Sequence, residues 1–130
     1  YSLVFFGDIN VGYETPLDST SSVLFGGHFY PDQSQTQTTG QFGAFTAYRL
    51  YSENDLFGPF GQISLGLNNT LQGSDYKPVF SIELWGGISR LFAKNIYYEA
   101  GLGLGRQYRS DNTDTAPFVM VSLNVGFVLN

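Results

Sequence analysis

The stretch FVMVSLNVGFVLN, Phe118–Asn130, alternates almost without error: Val119, Val121, Leu123, Val125, Phe127 and Leu129 share one parity, and Met120, Ser122, Asn124 and Gly126 the other. Successive side chains of a strand point to opposite faces, so this is a strand with one apolar and one polar side. A soluble sheet turns the apolar side to a core. A transmembrane barrel turns it to lipid and the small polar side to the lumen.

Composition bears on that choice. The chain has 130 residues, enough for one domain or one closed barrel, and only 13% of them are charged, against about 25% in ordinary soluble domains. Such a chain has little charge with which to cover a water-facing surface. Six Lys plus Arg within a net charge of −5 leave no basic stripe for phosphates, so nucleic acid is excluded as a partner. Without cysteine there are neither disulfides nor thiolate metal sites. The longest charge-free stretch, Leu56–Ser74, is broken by Pro59, Gln62, Asn68 and Asn69, so any membrane crossing must be made by strands.

Period two recurs in seven segments: about Ser2–Glu14, Ser22–Tyr30, Gln41–Tyr51, Phe57–Asn69, Val79–Ser89, Ile96–Gln107 and the closing stretch. Strands of ten or so residues suit tilted membrane spans better than the shorter strands of globular sheets. Connections read as long around 31–40, 70–78 and 110–116 and as short around 52–55 and 90–95. Pro59 is expected near a strand end or irregularity. Tyr13, Phe29, Tyr48, Tyr98, Tyr108 and Phe127 fall near the ends of the expected spans, where an aromatic girdle would sit.

On these residues the chain resembles a small bacterial outer-membrane β-barrel of the eight-stranded class. The resemblance implies an all-β, antiparallel up-and-down transmembrane β-barrel, with seven strands visible and eight in the complete barrel. The closing stretch is similar to the C-terminal signal of that class, but it ends in Leu129-Asn130, with its aromatic at Phe127. Residues 1–130 form a single domain, and the odd strand count points to an N-terminal strand that is missing or is supplied by another chain, the alternative being a short strand merged with another or overlooked.

The polar parity places Asp8, His28, Arg49, Glu83 and Glu99 in the lumen as a candidate ion-pair network. Strand direction puts Arg49 and Glu99 toward the same, short-turn end. His28 is the sole histidine, and no Ser or acid stands at a recognisable spacing from it, so no catalytic set is assigned and the chain reads as a non-enzyme. GLGLG at Gly101–Gly105 lies inside an alternating strand, outside the strand-turn-helix context of a phosphate loop. Lys77, Arg106 and Arg109 are candidate rim cations for lipid phosphates. The acids Asp32, Asp75, Asp111 and Asp114 are isolated, and neither a metal site nor a cofactor is expected.

The expected role is structural, partner-docking or adhesive. Outer loops would make the contacts around a narrow or plugged lumen, with outer-membrane lipid or lipopolysaccharide, and a protein or additional chain of the envelope, as partners. The alternatives are a soluble lipocalin-like carrier of an apolar ligand, with the apolar parity turned inward, and a lipid-modifying outer-membrane enzyme.

Overall fold

The computed structural model describes residues 2–3, 9–30, 41–54, 56–72, 75–94, 96–109 and 117–127. They form one all-β, antiparallel up-and-down sheet. Seven long strands follow in chain order: β2 (Ile9–Pro16), β3 (Ser21–Tyr30), β4 (Gln41–Tyr51), β5 (Gly58–Gln72), β6 (Asp75–Ala93), β7 (Ile96–Arg109) and β8 (Phe118–Phe127). Each pairs with its sequence neighbour, and the sheet curls on itself. A two-residue strand, β1 (Ser2–Leu3), stands between the edges, with Ser2 paired to Gly12 of β2 and to Gly126 of β8.

The segment Ser2–Glu14, expected as one strand, is therefore two antiparallel pieces. Leu3 pairs with Val11, a separation of an even number of residues, so reversing the chain leaves the alternation in phase. Periodicity does not register a turn of that kind.

The expected long connection at 70–78 is also corrected. The ladder continues through Leu71–Tyr76 to Gln72–Asp75, leaving only residues 73–74 between β5 and β6. Backbone hydrogen bonds define the ladder, so a polar stretch extends it as well as an apolar one. At the opposite end β6 runs on to Ala93, through a register shift between Leu91 and Ala93, which shortens the connection expected at 90–95. Pro59 is the second residue of β5, next to Gly58 with φ 101°, where the missing N–H is tolerated.

The two faces differ sharply. Large apolar side chains lie exposed on the outer face: Phe25, Leu67, Leu84, Leu102 and Leu104 are each more than half exposed, and Val119 and Val121 are 73% and 78% exposed. Inward go Ser22, Leu24, Ala47, Arg49, Tyr51, Phe60, Ser64, Asn68, Val79, Ser81, Ser89, Tyr97 and Glu99, all buried. Inward glycines make room for inward rings. A Cβ on Gly103 would stand 2.6 Å from Trp85, one on Gly26 2.5 Å from Phe45, and one on Gly105 2.6 Å from Phe118. Large against small is how a narrow barrel interior fills without voids.

Candidate functional site: a polar cluster across the interior

Arg49 leaves β4 and crosses the interior to Glu99 on β7. Its Nη1 donates to Glu99 Oε2 and its Nη2 to Glu99 Oε1 at 3.3 Å. The same Nη1 donates to the Tyr51 hydroxyl at 3.0 Å and lies 3.5 Å from Glu14 Oε2, while Nε donates to Gln62 Oε1 at 2.8 Å. The planar fork of guanidinium suits this many-sided contact. Beneath it the Phe60 ring centroid is 4.2 Å from Cζ, a cation–π contact.

The carboxylates are themselves held. Tyr51 donates to Glu14 Oε1 at 2.7 Å, Ser22 donates to the same oxygen, and Asn124 Nδ2 donates to Glu99 Oε1 at 3.1 Å. Gln62 passes a further bond to Ser64 at 2.8 Å. Arg49 is 4% exposed and Glu99 3%, so both charges are out of bulk water. Burial on that scale is tolerable only with good geometry and satisfied remaining atoms. The cluster draws on β2, β3, β4, β5, β7 and β8, and it fills the short-turn half of the interior.

Of the residues expected in the lumen network, the structure brings Arg49 and Glu99 together. Glu83 also points inward but stands apart: it accepts from Trp85 Nε1 at 3.0 Å and meets no cation among the described residues. His28 points inward toward the long-loop end, where its Nε2 and Asn68 Oδ1 both overhang Gly43. Asp8 lies outside the described residues. Glu14, Tyr51, Gln62, Ser22 and Asn124 belong to the cluster and were not singled out from the sequence. Glu14 shares the parity of Gly12 and was findable by alternation alone, whereas its meeting with Arg49 depends on the curl of the sheet.

The three rim cations do not share a face. Arg106 lies on the outer face beside Tyr108, its Cζ 5.5 Å from the ring centroid. Arg109 follows the inward parity of Gly105, and Lys77 lies within β6, paired with Thr70, and not on a loop. The six girdle aromatics all face outward, each at least 41% exposed. Tyr13, Tyr48, Tyr98 and Phe127 stand at strand ends toward the short turns, and Phe29 and Tyr108 at the other end. No group of His, Asp and Glu suited to a metal ion occurs among the described residues.

At the short-turn end Asp18 caps the β2–β3 turn. It accepts from the Thr20 backbone at 2.8 Å and the Ser21 hydroxyl at 2.6 Å. Those bonds, Ser21 first, hold its carboxyl below the ordinary carboxylate range.

Comparison with known proteins finds no matching family model, no matching curated protein and no matching solved structure.

Proposed function

We propose that this chain is a transmembrane β-barrel of a bacterial outer membrane, with a plugged lumen and a structural or partner-docking role exercised at its long-loop end. The observation that carries this reading is the outward apolar face. On the long strands the described outward residues are mostly large and apolar, with Arg90 and Arg106 the charged exceptions, while Glu14, Arg49, Glu83 and Glu99 point inward, and water would not be met by such a surface over so wide an area.

The register supports it quantitatively. Followed from Tyr97 through Gly126, Ser2, Gly12, Gly26, Phe45, Gly66 and Ser81, the ladder returns to β7 at Gln107, ten residues further on. Eight strands with that stagger tilt by about 40° for ordinary strand spacings, so ten residues rise about 25 Å. That matches the height of an outer-membrane apolar band. Aromatics at both strand ends would then lie at the two interfaces.

The Arg49 cluster and the rings of Phe45, Trp85 and Phe118 fill the interior, which favours support or docking over bulk transport. Lipid is the partner of the outer face, and a protein partner or further chain would engage the loops. A lipocalin-like carrier needs the apolar parity inside, and here the exposed parity is the apolar one. The deciding experiment extracts the protein in detergent and compares unheated and boiled gel mobility, with circular dichroism on the same sample. A sheet spectrum with a heat-dependent shift is expected; a monodisperse folded protein in plain buffer overturns the reading.

A further inference from the structure

Glu83 is a half-buried carboxylate on the inner face; it accepts from the Trp85 indole at 3.0 Å, and no cation among the described residues reaches it. Keeping such a group charged without a cation is costly. The ladder shows which residue can supply one. From Arg49 the register runs to Gln62, Trp85 and Gly103, and Glu99, which Arg49 meets, lies four residues from Gly103 toward the short turns. From His28 it runs to Gly43, Asn68 and Val79, and four residues from Val79 toward the short turns stands Glu83. Both paths cross three strands. The stagger of ten residues over eight strands is about four over three, so residues related in this way stand level across the interior.

The surroundings favour a pair at that level. One inward step from His28 and from Glu83 toward the short turns lie Gly26 and Trp85, where the rings of Phe45 and Trp85 rest against Gly26 and Gly103. Attraction between charges gains where such rings exclude water. A charged imidazole has two N–H groups to place. Asn68, 8% exposed, offers an Oδ1 that accepts no hydrogen bond and overhangs Gly43 beside His28 Nε2. The other charged inward groups stand away from this level: Lys77 and Arg109 are two or more inward steps nearer the loops, and Glu14 and Glu99 are held by Arg49 below. From β4, β5, β7 and β8 no ionisable side chain comes to it. Asp8 and the side chains of Tyr30 and Asp75 lie outside the described ones.

We infer that His28 and Glu83 form a proton-dependent ion pair across the long-loop half of the interior: the imidazolium places one N–H on Glu83 and the other on Asn68 Oδ1, and the neutral imidazole leaves the carboxylate to Trp85. Histidine ordinarily changes charge between pH 5 and 8. Acid therefore adds a second tie above the Arg49 cluster, and the plug tightens beneath the loops. The pair depends on the interior and not on what covers the outer face, so it goes beyond the membrane-spanning reading and does not fall with it.

Trp85, the sole tryptophan, is bonded to Glu83 and so reports on the pair. The test follows its emission in the detergent-extracted protein across the histidine range, from about pH 8 to about pH 5, for the wild type, His28→Gln, Glu83→Gln and the double variant, with circular dichroism to verify the sheet in each. Glu83→Gln keeps an acceptor for the indole, which guards the fold. The wild-type emission is expected to change in a single one-proton step, and that of each variant to stay flat. Urea midpoints on the same samples should show each single change lowering the folded-to-unfolded ratio about fivefold more at the acid end than at the alkaline end, and the double variant no further than either. A flat wild-type emission, or a step that survives His28→Gln or Glu83→Gln, overturns the pair. A step that survives Glu83→Gln and is lost in Asp8→Asn gives the imidazolium to Asp8 instead.

Discussion

Arg49 on β4 and Glu99 on β7, fifty residues apart, meet through two nitrogens and two oxygens across the interior of the sheet. Removing one partner leaves a buried charge with weaker company. Glu99→Leu should cost about 3 kcal/mol or more, because Glu14, at 3.5 Å, is then the one carboxylate left to the Arg49 charge among the described residues. Combining it with Arg49→Met should cost less than the two single changes together, by about 1–3 kcal/mol. Urea midpoints in detergent micelles for the four proteins give the comparison, and strict additivity would mean that the pair carries no coupling.

Trp85 reports on the packing of the interior. It is the sole tryptophan, and a side chain at Gly103 would press into the face of its indole, with the nearest ring atom 2.6 Å from a Cβ. Gly103→Val should displace the indole, alter near-ultraviolet circular dichroism and lower stability by about 1–3 kcal/mol. An unchanged spectrum would place the ring elsewhere.

Leu84 distinguishes lipid from water. It sits mid-strand on β6, 58% exposed, between Ile63 and Leu104. In a bilayer Leu84→Arg should cost about 2–4 kcal/mol. On a water-facing surface the same change is close to neutral. Refolding into vesicles at graded urea measures the difference.

Asp18 sets an acid-sensitive step at one turn. Because bonds from Ser21 and Thr20 favour its charged form, its folded pKa lies below the unfolded one. The stability it contributes is whole above the unfolded carboxylate range and is lost as pH falls through the folded value. Asp18→Ala should therefore lag the wild type at neutral pH, with the gap closing in strong acid. A gap independent of pH would assign the effect to the turn backbone alone.

Alternation made the two faces of the sheet legible from the residues. Val119 to Phe127 and Ile63 to Leu67 needed no tertiary information, because period two fixes a face wherever the neighbours agree. Period two does not reveal the antiparallel pairing of Leu3 with Val11, because their even separation preserves phase, nor the extension of β5 and β6 beyond Asn69, because polar residues pair as readily as apolar ones. Arg49 and Glu99 were placed at one end by strand direction, but Glu14, Tyr51 and Asn124 join them only through the stagger of the curled sheet. A stagger is a property of ladder register, which single-strand patterns do not carry.

The two-residue strand Ser2–Leu3 has a consequence for the order in which the molecule assembles. From β2 to β8 every rung joins neighbouring segments, the kind of local contact that forms early and fast. The pairing of Ser2 with Gly126 alone joins positions 124 residues apart. Its entropic cost rises with the logarithm of that separation, and the described part of β1 offers only two rungs against it. Closure should thus be the last and most reversible event of folding, a slow latch on a sheet already built, and hydrogen exchange at Val125 and Gly126 should outpace that at Leu65 and Gly66.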